Sequence, residues 1–161
     1  MRSTWVRVTG VLLVLVCAAG LAACGATSKA DYKKQVKAIS DRVQKDTKTT
    51  LSGSGQPSAA QLKSAQASLN KAADDLDNIT PPSDVKTGHQ DLVKAVRAMA
   101  AYVGTLSDAM ATIKKDPSKA AGLLDKIDPN KSQDVKDATK YEKAAETEFN
   151  KHGYGKLFKA S

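Results

Sequence analysis

One stripe of residues decides most of what this chain can become. Val85, His89, Leu92, Val96, Met99, Val103, Leu106, Met110 and Ile113 follow one another in alternating steps of four and three. An α-helix turns every 3.6 residues, so this spacing places all of them on one side of a helix about eight turns long. A strand would need apolar residues at every second position, and no stretch of the sequence has that alternation. A long helix with one apolar face is stable only when other helices cover it, so the expected fold is all-α.

Three more segments can supply the cover. Tyr32, Val36, Ile39, Val43, Thr47 and Thr50 or Leu51 recur at helical steps, which predicts a helix over about 28–51, ended by Ser52-Gly53-Ser54-Gly55-Gln56-Pro57. Leu62, Ala65, Leu69, Ala72, Leu76 and Ile79 predict a second, stopped near Thr80-Pro81-Pro82. Val135, Ala138, Tyr141 or Glu142, Ala145 and Phe149 predict a last helix over about 131–151, closed by Gly153 and Gly155. Start signals agree with these spans. Ser28 with Asp31 and Ser58 with Gln61 have capping-box spacing, while Asp116-Pro117 and Asp128-Pro129 each join an N-cap side chain to a proline suited to a first turn. The expected architecture is an antiparallel four-helix-type bundle with one long helix (about 82–115), a short extra helix (about 117–127) over its overhang, and a C-terminal tail, 152–161. Alanine at many stripe positions buries little area and predicts a slim core rather than a roomy pocket.

The start of the chain has a different character. Arg2 and Arg7 precede an apolar run from Val11 through Val16, extended by Ala18 and Ala19, and the run closes on Leu21-Ala22-Ala23-Cys24-Gly25. A basic start, an apolar middle and a small-residue end form the layout of an export signal. Sixteen residues lie between Arg7 and Cys24, and a helix needs roughly 20 apolar residues to cross a bilayer, so cleavage is expected rather than a permanent span. Leu21-Ala22-Ala23-Cys24 resembles the lipobox of bacterial lipoproteins. That resemblance implies cleavage between Ala23 and Cys24, a diacylglycerol on the Cys24 thiol, and a protein anchored to the extracytoplasmic face of the cell membrane. Residues 1–23 are then the signal, 24–28 a lipidated tether and 29–151 the bundle domain. Each buried methylene is worth about 0.8 kcal/mol and one acyl chain alone binds only reversibly, so two or more chains are what hold such a protein. Cys17 would leave with the signal and Cys24 would carry lipid, which leaves no free thiol for redox chemistry.

Charge is unevenly spread. The whole chain has 25 basic and 17 acidic residues, and removal of Arg2 and Arg7 with the signal changes a formal +8 to +6. The excess gathers in Lys29, Lys33, Lys34 and Lys37 of the first helix and in Lys151, Lys156 and Lys159 of the last helix and tail. With short connections, successive helices alternate in direction, so both stretches and the Pro81-Pro82 turn fall at the anchored end. The 52–58 linker and the 115–130 region then point away from it. Those lysines read either as contacts to an anionic membrane surface or as a solvated helical face. The tail interleaves bases with Tyr154 and Phe158, a pattern open to packing on the bundle end, interfacial contact or disorder. Nucleic acid attracts similar patterns but is not expected beyond the membrane.

Few residues are equipped for chemistry. His89, the polar member of the long stripe, is the candidate ligand for haem or a metal, or else a satisfied core histidine. Di-metal bundles use Glu-x-x-His, whereas Ala145, Phe149 and Lys151 follow Glu142, Glu146 and Glu148 at that distance, and Met99 and Met110 share a face with His89 rather than opposing it. Asp74, Asp75, Asp77 and Asp84 surround the Pro81-Pro82 turn without EF-hand spacing, and pairing with the basic tail or solvation is expected. There is no Gly-x-Ser-x-Gly turn and no phosphate-loop pattern. No catalytic residue, no metal and no cofactor beyond the covalent lipid are therefore expected. A lipobox ahead of a Lys- and Ala-rich helical body, with a Thr-Pro-Pro turn and a following His, is similar to small helical lipoproteins of Gram-positive, especially actinobacterial, envelopes. That similarity implies a location and brings no agreed activity. The expected function is a helical binding or scaffolding module that meets an envelope protein or polymer; the alternative is a carrier of a small molecule or cofactor around His89.

Overall fold

A computed structural model describes residues 27–51 and 56–155. The segment read as a signal, Ala23, Cys24 and the tail lysines Lys156 and Lys159 lie outside these residues. The described chain is all-α: α1 (Lys29–Leu51), α2 (Ala59–Asp77), α3 (Lys86–Lys115), α4 (Ala120–Leu124) and α5 (Gln133–Lys151), with 3-10 turns at Ser83–Val85 and Pro117–Lys119. Among the described residues there is no strand. The long α3 is the central element, packed along α2 on one side and α5 on the other, while α1 lies along α2. Successive long helices alternate in direction, as the short connections require.

Local chemistry accounts for the helix starts. Ser58 and Gln61 form a reciprocal capping box, with the Gln61 N–H donating to Ser58 Oγ (3.3 Å) and the Ser58 N–H donating to Gln61 Oε1 (2.9 Å). Ser28 Oγ accepts from the Asp31 N–H (3.1 Å) ahead of α1. Asp116 accepts from the Ser118 N–H (3.2 Å), holding the turn after α3. The α1–α2 connection is fastened from α2, since Gln61 Nε2 donates to the Thr50 carbonyl (2.7 Å).

Three boundaries differ from the sequence reading. The long element does not run regularly from 82: Pro82 leads a 3-10 turn, and Val85, at φ −123° and ψ 15°, separates that turn from α3. The short helix stops at Leu124 rather than 127. The last helix starts at Gln133: Asp128 Oδ1 accepts from the Asn130 N–H (2.9 Å), and the Lys131 and Ser132 N–H groups close a turn on the Asp128 carbonyl before the helix begins. The region after α3 still covers the overhang, with α4 and the preceding 3-10 turn against α3 and Tyr102 Oη donating to the Ile127 carbonyl (2.9 Å).

The central helix has two buried faces rather than one. His89 and Leu92 of the apolar stripe are buried, but Met99 is 38% exposed and Val103, Leu106 and Met110 are half-buried. Gly88, Ala95, Ala100, Gly104 and Ser107 are buried as well. These small residues let neighbouring helices approach closely: Gly104 lies against Gln66, Gly88 lies against Glu148 and Phe149, and Ser107 Oγ donates to the Ala59 carbonyl (2.8 Å). The main core joins Tyr32, Val36, Leu76, Ile79, Val85, Leu92, Val93, Ala145, Phe149 and Tyr154 at the end where α1 begins and α5 finishes.

Candidate functional site

That end is built around four rings. Tyr32 comes from the first turn of α1, His89 from α3, Phe149 from the last turn of α5, and Tyr154 from the residues just beyond it. Tyr32 stacks on Phe149 (centroids 6.1 Å, 25°) and meets His89 and Tyr154 edge-on, both at 5.7 Å. Offset and edge-to-face pairs bring the positive ring edge onto the negative ring face, adding about 0.5–1.5 kcal/mol per pair beyond area burial.

A helix stop delivers Tyr154 to this cluster. The Tyr154 N–H donates to the Phe149 carbonyl (2.6 Å) and the Gly153 N–H to the Asn150 carbonyl (3.1 Å), the two bonds of a Schellman motif, with Gly153 at φ +74°. The reversal turns Tyr154 back onto Phe149, centroids 6.0 Å apart. Its hydroxyl donates to Asp84 at 3.4 Å. Two lysines of α1 close the outside: Lys29 Nζ donates to the His152 carbonyl (2.6 Å) and lies 4.5 Å over the Tyr154 ring, and Lys33 Nζ donates to the Gly153 carbonyl (3.2 Å). Both satisfy carbonyls left open at the α5 C-terminus, where positive charge is favoured by the helix dipole.

His89 is 4% exposed. Its Nδ1 is 3.0 Å from the Tyr32 hydroxyl, and its Nε2 has no hydrogen-bond partner. Burial holds the imidazole below its ordinary value; the Leu76 carbonyl and the Asp77 carboxylate act the other way. Burial likewise pushes the Tyr32 phenol up, helped by Tyr154, and burial with Asp84 pushes Tyr154 up. At neutral pH the cluster is a set of uncharged rings with one ring nitrogen left over.

The other sequence-derived residues separate into groups. Lys37 pairs with Asp41 (2.9 Å), whereas Lys34 and Lys151 are exposed and make no ion pair among the described residues. Among the described residues, Asp74, Asp75 and Asp77 near the Pro81-Pro82 turn pair with arginines, while the tail lysines Lys156 and Lys159 lie outside these residues. Arg42 holds Asp75 (2.5 Å), and Arg97 holds Asp77 (2.9 Å) and Asp74 (3.7 Å). The Arg42 hydrogen bond, then that of Lys71, keeps the Asp75 carboxyl below the usual range. Asp84 turns to the C-terminal side, where His152 sits between it (3.9 Å) and Glu148 (3.7 Å). Among the described residues no three His, Cys, Asp or Glu side chains converge as a metal site. No described helix is long and apolar enough to cross a membrane. A solvent-open depression of about 430 Å³ lies at the start of α5, lined by Pro129, Asn130, Val135, Lys136, Lys140 and Lys143, far along the helix from His89. The ring cluster itself was only partly visible in the sequence. Gly153 before Tyr154 signalled the reversal, but the partners of the reversed ring come from helices distant in sequence. Comparison with family models, curated proteins and solved structures finds no match for this chain.

Proposed function

We propose that this protein is a lipid-anchored extracytoplasmic module, held at the cell membrane through Cys24, that binds or scaffolds an envelope component without catalysing a reaction. The observation that carries the binding role is the split character of α3. Its anchored-end half is sealed by rings, while from mid-helix outward Met99 is 38% exposed and Val103, Leu106 and Met110 are only half-buried, and Leu124 of α4 is 57% exposed. A partly exposed apolar strip suits a partner more than a packed core does. The test is cross-linking in intact envelopes, comparing the wild-type chain with Met99→Asp/Leu124→Asp and with Cys24→Ala. The expected result is a discrete adduct that the double substitution removes and that the anchorless form loses from the membrane fraction. An adduct pattern identical in all three proteins, or none in any, refutes the reading.

The carrier alternative has one observation in its favour, the orphaned His89 Nε2. With the ring 4% exposed, a ligand could reach it only after the ring cluster opened. Addition of haem or zinc to the purified protein, followed by absorbance and thermal unfolding, distinguishes this alternative by a shift that His89→Gln abolishes.

A further inference from the structure

We infer that the partly exposed strip of α3 is where a second copy of this chain docks, in a parallel dimer whose two α1 helices each lie against the α5 of the other copy. The inference rests on the reading of that strip as a contact surface and names its occupant. α1 lies along α2 and reaches over α3 at the ring-capped end, where Tyr32 meets His89 and Phe149. Beyond that end the same side of α3 is less covered, with Met99 38% exposed and Val103 and Met110 half-buried. Helical spacing sets what borders this open side. Lys33 donates to the Gly153 carbonyl past α5 (3.2 Å), and Ser40 and Thr47 follow it at seven-residue steps, so the flank of α1 turned toward α5 becomes neutral beyond its first turns. On α5, Glu142 and Glu146 precede Phe149 by seven and three residues, which puts both carboxylates on the flank that carries the ring toward Tyr32. Both are exposed and make no ion pair among the described residues. Lys136, Lys140 and Lys143 take the adjoining face of α5, at the depression. The outer side of α1 has the opposite charge: Lys34, Lys37, Lys45 and Lys48 are exposed there against Asp31 and Asp41, and Asp41 is held by Lys37 (2.9 Å). Asp46 turns to α2 instead, accepting from Ser68 (2.9 Å).

The heights of these charges match. Tyr32 stacks on Phe149 and the two helices run antiparallel, so Lys34 and Lys37 stand level with the turn of α5 that holds Glu142 and Glu146. Within one copy they point away from those carboxylates. A twofold axis parallel to α3 lays α1 of each copy over the open side of the other's α3 and turns Lys34 and Lys37 toward Glu142 and Glu146 of the partner subunit. The two α1 helices then meet along their neutral Ser40 and Thr47 flanks. An axis across α3 would set α1 on α1, base against base, so the charge pattern selects the parallel pair. That pair has both chain starts at the same end, as two copies tethered to one membrane require. Tethering also raises their effective concentration, so an interface of modest area suffices.

The experiment uses the full chain extracted from membranes in detergent, under reducing conditions, with its mass followed by light scattering from micromolar to millimolar concentration. A reversible dimer that salt weakens is expected. Lys34→Glu/Lys37→Glu and, separately, Glu142→Lys/Glu146→Lys should each weaken it by about tenfold, because the symmetry repeats every altered contact, and the four substitutions together should restore it. Circular dichroism verifies that the variants stay helical. A monomer at every concentration, a dimer that neither pair of substitutions weakens, or no recovery on combining them overturns the inference. So does tighter association of Lys34→Glu/Lys37→Glu, which is the sign of α1 set against α1. The envelope cross-link reads the underlying surface separately. An adduct of twice the chain mass, removed by Met99→Asp/Leu124→Asp, supports the second copy; an adduct with a different protein, removed by the same substitutions, keeps the contact surface and overturns its assignment to a second copy.

Discussion

At Gly88 and Gly104 the same residue type does different work. A Cβ on Gly88 would stand 2.9 Å from the Glu148 Cβ and 3.4 Å from the Ala145 carbonyl, positions set by the α5 backbone. Alanine there gains up to about 1 kcal/mol of helix propensity but meets an overpacking cost of about 1–3 kcal/mol, so Gly88→Ala should lower stability by about 1 kcal/mol. A Cβ on Gly104 meets only the end of the Gln66 side chain, which can swing aside, so Gly104→Ala should be neutral or stabilising by up to about 1 kcal/mol. Urea unfolding of the two variants checks the opposite signs. His89 adds a pH dependence. Because burial lowers its proton affinity in the folded state, the unfolded chain takes up the proton first. Stability should therefore be insensitive to this group above about pH 6.5, fall as the pH drops below that value, and level off beneath the depressed folded value. His89→Gln should make that decline shallower; parallel pH profiles for the two proteins would sink the assignment.

Among the helices, α3 shows most clearly what the sequence could and could not reveal. Leu92, Val96 and Val103 contrast strongly with their neighbours, so their spacing was legible as a helix face. Ala100, Gly104 and Ser107 carry almost no hydropathic contrast, and their buried face emerges only when α2 is in place. The start of α5 was misplaced because Asp128-Pro129 and Asp116-Pro117 are alike as sequence and even make the same side-chain bond two residues on, but after Asp128 the Lys131 and Ser132 N–H groups close a turn on its carbonyl before the helix begins. Tyr154 was ambiguous for a related reason: bases beside aromatics suit packing or an interface equally, and Gly153 resolves the choice by reversing the chain. Alanine at 153 must adopt a left-handed backbone, so Gly153→Ala should cost about 1 kcal/mol. Hydrogen exchange should show the loss first at the Tyr154 and Gly153 amides, with α2 amides unchanged.

Across the whole molecule, stability is concentrated at one end. The large buried side chains Tyr32, Val85, Phe149 and Tyr154 share a single cluster, while the far end relies on Leu62, small residues and half-buried aliphatics. Phe149→Ala should cost about 3–5 kcal/mol, enough to unfold a domain of ordinary stability, because it removes the ring that joins α1, α3 and the segment after α5. Leu124→Ser, at a position 57% exposed on α4, should change stability by less than about 0.5 kcal/mol. Thermal unfolding of the pair measures the contrast. The Lys29 and Lys33 bonds to the carbonyls beyond α5 also have a mechanical consequence. A pull applied ahead of Lys29 enters the fold at its most heavily packed corner and is passed directly to α5 as well as along α1. Tension on the chain ahead of Lys29 is thus shared between two helices at the point of entry, and α1 cannot be peeled away without first breaking the ring cluster.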